Sequence, residues 1–276
     1  MRKKIFWILV LILIIFVGFW CFKNFWPQPQ IFQTTPTSLI SPTPLLKFSV
    51  IGDPESDLPN LKKALELSKN NGDEFAVLVG DLTHVGSKKE LREVKEILDQ
   101  TELKYYAIPG NHDLYSAKKL SQDPTEYFSE IIGRPYNQVL IHNCIFLFID
   151  NSDEEKGISQ EQMKFIKKNL AEKGDKMLFI FLHEPVYHPD SRYLMGYRSD
   201  FVSKQRLELL DLFKTASPSA IFTGHLHHSS FWEKYGLKFY VAGAVTSQRN
   251  WQTPRFLEVK IFENGKFSVI ERVVIE

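Results

Sequence analysis

Apolar and polar residues follow two kinds of spacing along this chain, and together they predict strands that alternate with helices. Short apolar runs typical of buried strands occupy residues 47–51, 75–79, 105–108, 177–182 and 220–222. Between these runs, apolar residues recur at helical spacing over residues 57–70, 87–100, 159–173 and 201–215. This alternation of strand and helix indicates an α/β protein.

The remaining apolar stretches predict antiparallel strands. Residues 139–141 and 144–149 flank a short turn, residues 229–241 form another strand region, and Asn264-Gly265 marks a final hairpin. Ser159 is followed three residues later by Gln162, which predicts a capping box at the start of the third helix. Parallel and antiparallel strands together predict mixed β-sheets.

The N-terminus carries an apolar stretch of membrane length. Residues 5–22 contain no charged side chain, and at ~1.5 Å rise per residue a helix of this length crosses a bilayer core. The basic residues at 2–4 favour an N-terminus in the cytoplasm, although Lys23 weakens that bias. A cleaved signal peptide is the alternative, but the bulky residues at 19–22 offer no cleavage site. We expect residues 1–26 to form a single-pass anchor in the cell membrane, with the rest of the chain outside the cytoplasm.

The composition after this stretch separates a spacer from a folded domain. Residues 27–45 are rich in Pro, Ser and Thr and carry too few apolar residues for a core, so they predict an extended spacer. Residues 46–276 are numerous enough for one domain with a substantial core. The formal net charge of +1 argues against a nucleic-acid-binding surface, and the two cysteines, Cys21 and Cys144, argue against an intramolecular disulfide.

Five polar motifs each follow a predicted strand, at the end where open α/β sheets place their ligands. They are Asp53-Pro54-Glu55, Gly80-Asp81, Gly110-Asn111-His112-Asp113, His183 and Gly224-His225-Leu226-His227. Each motif alone also occurs in structural turns, and the prediction depends on their joint occurrence. Carboxylates, an amide oxygen and imidazoles form the ligand set that holds two divalent ions for phosphate-ester hydrolysis.

The residue types suggest individual roles. Asp81 is the candidate to bridge two ions, because a carboxylate can bind both and Gly80 lets the backbone turn out of the strand. The imidazoles of His225 and His227, two residues apart, can present one nitrogen to each ion.

The third motif predicts acid catalysis beside the metals. Asn111 offers a neutral carbonyl oxygen to an ion. His112 can donate a proton to a leaving alkoxide if the carboxylate of Asp113 holds its ring and raises its pKa.

These motifs resemble those of the calcineurin-like metallophosphoesterase superfamily, whose pattern reads D-x-H, G-D, G-N-H-[DE], H and G-H-x-H. The resemblance extends from residue 46 to the final hairpin and implies two mixed β-sheets packed as a sandwich flanked by helices, here preceded by one transmembrane helix. It also implies a dinuclear metal centre with His112 as the acid or phosphate-binding histidine. The implied ligands are Asp53, Glu55, Asp81 and His227 for one ion, and Asp81, Asn111, His183 and His225 for the other.

Glu55 departs from the family pattern, which usually has histidine at this position. A glutamate replaces a neutral ligand with an anion, so the centre would carry three carboxylates. We therefore expect a less Lewis-acidic first site that prefers Mn²⁺ or Mg²⁺ over Zn²⁺, or else a Glu55 that points away from a weakly bound ion. The expected cofactors are two divalent ions, Mn²⁺ first, with Fe, Zn²⁺ or Mg²⁺ as alternatives.

Other polar residues are assigned lesser roles. A loop rich in Tyr, Pro and Gly is expected to face the substrate as a lid, and it carries His188, Tyr193, Tyr197 and Arg198. Arg198 is either a phosphate clamp or a solvated side chain. We do not expect metal ligands at His84, His142 or His228.

The sequence thus predicts a hydrolase that cleaves a phosphomonoester or phosphodiester with a metal-bound hydroxide on the outer face of a membrane. The expected substrates are phosphate-ester small molecules, nucleotides or lipid head groups; neither nucleic acid nor a defined oligomeric state is predicted. The alternative is a degenerate, non-catalytic domain that binds metal or phosphate, which Glu55 favours and the intact motifs around Asn111 and His225 oppose.

We predict that a protein comprising residues 46–276 folds and stays soluble without detergent, because the membrane-length apolar sequence precedes residue 23. Size-exclusion chromatography and circular dichroism measure this outcome. Aggregation of that protein without detergent, beside a well-behaved full-length chain, would contradict the predicted boundary.

Overall fold

The computed structural model describes residues 43–120 and 123–274, which build two β-sheets that face each other. The predicted anchor, residues 1–26, lies outside the described residues, as does most of the predicted spacer. No helix in the described part of the chain is long and apolar enough to cross a membrane.

The first sheet has five strands in the order β11-β10-β1-β2-β3. Its strands are β1 (Leu46–Ile51), β2 (Phe75–Val79), β3 (Lys104–Ile108), β10 (Arg255–Ile261) and β11 (Phe267–Val273). β1, β2 and β3 are parallel, whereas β10 is antiparallel to both β1 and β11. The predicted final hairpin around Asn264-Gly265 therefore adds two antiparallel strands to a parallel core.

The second sheet has six strands in the order β4-β5-β6-β7-β9-β8. Its strands are β4 (Asn137–Ile141), β5 (Cys144–Phe148), β6 (Met177–Phe181), β7 (Ala220–Thr223), β8 (Ser230–Lys234) and β9 (Leu237–Val241). β5, β6, β7 and β9 are parallel, and the hairpin partners β4 and β8 run antiparallel to them. The region predicted as residues 229–241 is a hairpin that turns at Tyr235-Gly236, both with positive φ. The prediction of mixed sheets is confirmed.

Helices follow the predicted positions closely, with two short additions. The described helices are α1 (Leu58–Asn70), α2 (Lys88–Thr101), α3 (Tyr115–Lys119), α4 (Glu126–Ile131), α5 (Gln160–Ala171) and α6 (Asp200–Ala216). The sequence did not predict α3 and α4, because a helix of fewer than two turns shows too little periodicity to recognise.

The capping box predicted at α5 is only half formed. Ser159 Oγ accepts the N–H of Gln162 at 3.1 Å, as a helix cap should. The side chain of Gln162 instead bonds both the N–H and the carbonyl of Asp150, at 2.8 and 2.9 Å, and so fixes the loop after β5 to the helix. A complete capping box occurs at α2, between Ser87 and Glu90.

Phenylalanine rings fill the space between the two sheets. Phe48 of β1 lies edge-on to Phe146, Phe179, Phe181 and Phe222 of the facing sheet, with centroids 5.4 to 6.3 Å apart. Aliphatic residues alternate with these rings along the strands and turn outward onto the helices, α1 and α2 on one sheet and α5 and α6 on the other. The result is the predicted sandwich flanked by helices.

This sandwich brings loops of both sheets to one place. The chain segments that follow β1, β2, β3, β6 and β7 carry the five polar motifs, and these strands are parallel within their sheets. Two contacts join the sheets there: His183 Nδ1 lies 2.8 Å from the carbonyl oxygen of Val79, and the N–H of His225 donates to Asp53. The fold therefore assembles residues that are far apart in sequence.

Candidate metal centre

Asp81 lies at the centre of the assembled side chains. Three groups of candidate metal ligands each include Asp81, and within each group the ligand atoms lie within 4.8 Å of one another. The groups are Asp81 with His183 and His225, Asp81 with Asp53 and His227, and Asp81 with Glu55 and His112. This is the position that a bridging carboxylate would occupy.

Several of these residues have an unusual backbone conformation. Asp53, Glu55, Asp81, His225 and His227 all have positive φ, between 42° and 69°. For non-glycine residues this conformation costs about 1–3 kcal/mol each and persists only where the surrounding structure enforces it. Five of the eleven non-glycine residues with positive φ in the described part of the chain are thus predicted ligands, and such strain often occurs at functional sites.

Two glycines permit the close approach of these loops. Gly80 has φ +88°, and a Cβ atom there would overlap the ring of His183. A Cβ atom on Gly110 would overlap the backbone and carboxylate of Asp81. The glycine before Asp81 therefore matters for packing as well as for the predicted turn.

His183 presents a nitrogen to the centre with a defined tautomer. Its Nδ1 lies 2.8 Å from the carbonyl oxygen of Val79, to which it can only donate, so the lone pair of the neutral ring is on Nε2. Nε2 lies 3.3 Å from Asp81 Oδ1, 3.1 Å from Asn111 Oδ1 and 3.2 Å from His225 Nδ1. When its ring is neutral, His183 thus presents a lone pair beside the oxygens of Asp81 and Asn111 in a buried place, and a proton or a metal ion compensates this arrangement. The donor set fits a divalent metal ion.

The pKa shifts of these groups reflect the same convergence. Burial would lower the pKa of His183, but the neighbouring carboxylates of Asp81 and Asp53 raise it to about 10. Burial would raise the pKa of Asp81, yet His183 and His112 outweigh it and lower that pKa. Burial and the charge of His183 lower the pKa of His225 to about 3. Without an ion and near pH 7, Asp81 is therefore ionised, His225 is neutral, and His183 carries a proton that a bound metal ion would displace.

Asn111 is oriented by a residue that the sequence did not single out. Its amide nitrogen donates to the hydroxyl of Tyr115 at 2.7 Å, at the start of α3, which turns Oδ1 towards His183. The carbonyl oxygen is thus directed into the centre, as the sequence predicted for a metal ligand.

His112 lies beside the centre with its Nε2 facing inward. Its Nδ1 lies 2.8 Å from the backbone carbonyl oxygen of His84, and its Nε2 lies 3.9 Å from Glu55 Oε1. The N–H of His112 donates to Asp81 Oδ1 at 2.9 Å. His84 therefore orients the ring of His112 through its backbone carbonyl oxygen. The side chain of His84 is not among the candidate metal ligands.

The prediction that Asp113 holds the ring of His112 is wrong. The buried carboxylate of Asp113 accepts the N–H groups of Leu82, Thr83 and Gly110 and the hydroxyl of Thr83, at 2.7 to 3.1 Å. Its side chain therefore joins the loop after β2 to the loop after β3. Burial raises the pKa of Asp113 to about 6, with a further contribution from Asp81.

Glu55 points into the centre, which excludes the alternative that it turns away. Its side chain is fully buried; Oε1 contacts the guanidinium of Arg249 and lies 3.5 Å from His227 Nε2. Oε2 is buried with no hydrogen-bond partner. A buried oxygen without a hydrogen-bond partner can be satisfied by binding a cation. Arg249 was not predicted, because no motif marks it.

Asn151 is a second residue that sequence reasoning missed. Its Oδ1 accepts the N–H groups of His183 at 2.9 Å and Glu184 at 3.1 Å, and its amide nitrogen donates to the Glu184 carbonyl at 2.7 Å. All three groups are buried, so Asn151 fixes the backbone that carries His183. Only its place after β5 connects it with the site in the sequence.

The predicted lid lines an open cavity of about 900 Å³ above the centre. Tyr193 and Tyr197 are about half exposed there, and Arg198 pairs with Glu154 at 3.6 Å. His188 is buried, and its ring accepts an N–H from Trp232 at 3.1 Å, so it has a structural role in the cavity wall. Neither His228, bonded to the carbonyl of Leu226, nor the exposed His142 joins a ligand group.

Comparison with known proteins agrees with this geometry. The family model described as calcineurin-like phosphoesterase matches residues 46–229. A probable cyclic nucleotide phosphodiesterase of Ruthia magnifica subsp. Calyptogena magnifica is 24% identical over 213 residues, covering 76% of this chain and 86% of the relative. A probable glycerophosphodiester phosphodiesterase, GpdQ, of Arcobacter nitrofigilis is 29% identical over 175 residues, covering 58% of this chain and 60% of the relative.

The fold has counterparts among solved structures. Purple acid phosphatase PPD1 from yellow lupin seeds superposes with a TM-score of 0.59 at 15% sequence identity. The match covers 83% of this chain and 51% of the plant enzyme. At this identity the likeness shows a shared fold.

We predict that Asn151→Ala destabilises the protein and lowers its metal content. The substitution leaves two N–H groups and one carbonyl buried without partners, at about 1–3 kcal/mol each, and frees the backbone that carries His183. Denaturant unfolding and elemental analysis measure both effects. Asn169→Ala is the control, because Asn169 makes one bond on the surface of α5, to the Phe165 carbonyl. Equal effects of the two substitutions would contradict the role of Asn151.

Proposed function

We propose that this chain, which belongs to the calcineurin-like phosphoesterase family and is a hydrolase acting on phosphoester bonds, uses a pair of divalent ions held around Asp81. The observation that carries the proposal is the sharing of Asp81 by three ligand groups. A single structural ion needs one such group, whereas two ions that act together need a common carboxylate.

The residues divide into two sets around that carboxylate. We assign Asp53, Glu55 and His227 to one ion and Asn111, His183 and His225 to the other, with Asp81 shared by both. When bound, two divalent ions supply positive charge to the phosphate oxygens and lower the pKa of a water molecule that attacks phosphorus. Mn²⁺ suits this oxygen-rich set, and Fe, Zn²⁺ or Mg²⁺ are the alternatives.

His112 is the residue placed to handle the proton of the leaving group. Its Nε2 faces the centre, while the His84 carbonyl holds Nδ1, so the ring has one nitrogen for the backbone and one for the substrate. A proton on Nε2 can pass to the departing alkoxide oxygen, and before that it can bind a phosphate oxygen. The side chain of His112 is 16% exposed and lines the cavity, so its ring is within reach of a substrate that enters there.

The open cavity suits a phosphoester with a sizeable leaving group. Its wall carries the half-exposed rings of Tyr193 and Tyr197 and the guanidinium of Arg198, which offer apolar area and positive charge. Two relatives are named as probable phosphodiesterases. We include diesters among the substrates for these reasons, together with nucleotides and lipid head groups. Membrane tethering through residues 1–26, with the domain outside the cytoplasm, is part of the proposal.

A non-catalytic domain that binds a single ion is the second candidate. The observation that favours it is the contact of Arg249 with Glu55, since a guanidinium beside a ligand carboxylate opposes the binding of a cation there. Metal content separates the candidates. Two ions per chain with turnover supports the hydrolase, whereas one tightly bound ion without turnover supports the binding domain.

We predict that Asp81→Asn abolishes hydrolysis and lowers the occupancy of both ions, because a neutral amide cannot bridge them as a carboxylate does. The assay screens phosphomonoesters, phosphodiesters and pyrophosphates with added Mn²⁺, and elemental analysis gives the metal content. Asp99→Asn, which removes a carboxylate on the surface of α2, serves as the control. Survival of both turnover and metal binding in Asp81→Asn would make Asp81 structural.

His112→Ala should leave the metals bound and slow turnover by roughly 10²- to 10⁴-fold, the usual range for losing general acid-base catalysis. Steady-state kinetics and metal analysis of the same preparation test this. His142→Ala removes an exposed histidine from the β4–β5 turn and should change neither quantity. If His112→Ala loses metal, His112 is a ligand instead.

A further inference from the structure

Arg249 lies on a segment that is fastened to the loop carrying Glu55. The backbone N–H groups of three consecutive residues donate to the chain after β1. Val245 donates to the Gly52 carbonyl at 2.9 Å, Thr246 to the Asp53 carbonyl at 3.3 Å, and Ser247 to the Asp57 carboxylate at 3.0 Å. The side-chain amide of Asn250 donates to the carbonyls of Ala244 and Thr246, both at 2.9 Å. These bonds therefore fix the backbone on both sides of Arg249 beside the loop that carries Glu55.

The conformation of Arg249 supports the same conclusion. Its φ is 51°, a value that costs a non-glycine residue about 1–3 kcal/mol, and the Asn250 bonds enclose it. The guanidinium reaches from this strained residue to Glu55 Oε1, although the two residues are 194 positions apart. One end of the pair is fully buried at Glu55, and the other opens onto the cavity with 55% of the Arg249 side chain exposed.

The contact between Arg249 and Glu55 changes the net formal charge of the centre. An additional buried carboxylate beside Asp53 and Asp81 is costly unless a cation compensates it. Arg249 supplies that cation permanently, because a guanidinium does not lose its proton in proteins. With Arg249 included, the three carboxylates have the same net formal charge as the two carboxylates that remain when a neutral histidine occupies position 55.

We infer that Glu55 and Arg249 act as one electroneutral unit in place of a neutral histidine ligand, with the Glu55 carboxylate shared between the guanidinium of Arg249 and a metal ion. The inference rests on the proposed metal-dependent function. It differs from the expectation that Glu55 makes the first site less Lewis-acidic, which counted three carboxylates and no guanidinium. Arg249 is a positioning and charge-setting residue, and it is not itself a ligand.

Calorimetric titration of the metal-free, full-length protein with Mn²⁺ tests the unit without requiring turnover. Arg249→Gln should raise the affinity for the more weakly bound of the two ions by about tenfold or more, because the uncompensated carboxylate attracts the cation. Glu55→Gln should lower the affinity for the same ion by a similar factor, because the guanidinium then has no carboxylate partner and repels the cation. Arg198→Gln is the matched control from the same cavity: Arg198 is 69% exposed and pairs with Glu154. This control should leave both affinities unchanged.

Compensation between the two positions is the decisive result. Glu55→His alone should weaken the ion, since Arg249 then has no partner, and the double variant Glu55→His with Arg249→Gln should bind within about threefold of the wild-type affinity. Arg249→Lys keeps the charge and should also stay within about threefold, which covers the case in which Glu55 variants fail to fold.

Two results would overturn the inference. One is an unchanged ion affinity in Arg249→Gln, or a double variant that binds the ion as weakly as Glu55→His alone. The other is a second ion that binds to Arg249→Gln but not to the wild-type protein, because this would show that the guanidinium occupies the place of that ion in the wild type. Absence of hydrolysis in any variant does not bear on these outcomes, so a failure of the proposed function is distinguishable.

Discussion

The crowding of buried acceptor atoms around Asp81 is the constraint on which the rest of this site depends. Asp81 Oδ1, Asn111 Oδ1, His225 Nδ1 and His183 Nε2 approach one another closely, and the Val79 carbonyl already takes the ring proton of His183. Lone pairs that converge away from water repel one another unless a cation lies among them. A proton on His183 or a metal ion can supply that positive charge, and the carboxylate, amide and imidazole groups that meet here are the ligand types that a divalent metal ion binds.

The sandwich holds these acceptors together against their repulsion. The facing sheets fix the ends of their strands through packed phenylalanines, and short bonds between loops complete the frame. Asp113 joins two of these loops and Asn151 fixes a third, so both stabilise the ligands without touching an ion. The backbone strain at Asp53, Asp81 and His225 is sustained by the same frame.

The sequence predicted the sheets, the larger helices and the residues grouped around Asp81, because strand periodicity and adjacent polar motifs are local properties. It did not predict Asn151 or Arg249, whose partners are 32 and 194 positions away. A lone Asn or Arg carries no periodicity and no motif, and only the packing of two sheets brings it to the centre. The misassignment of Asp113 has the same origin: adjacency to His112 suggested a contact that the backbone turn prevents.

Arg249 also changes how the family resemblance applies to this chain. A motif comparison records Glu55 as the loss of a histidine, whereas the structure records a carboxylate with its own counter-ion. In this chain Glu55 and Arg249 together give the net charge that a single neutral histidine gives in the family pattern.

Anomalous X-ray scattering from crystals of the protein purified with Mn²⁺ tests the central claim most directly. We predict two anomalous peaks per chain within ligand distance of Asp81, one beside Glu55 and one beside His183. Absence of both peaks, with His183 Nε2 protonated and bonded to Asp81, would contradict it.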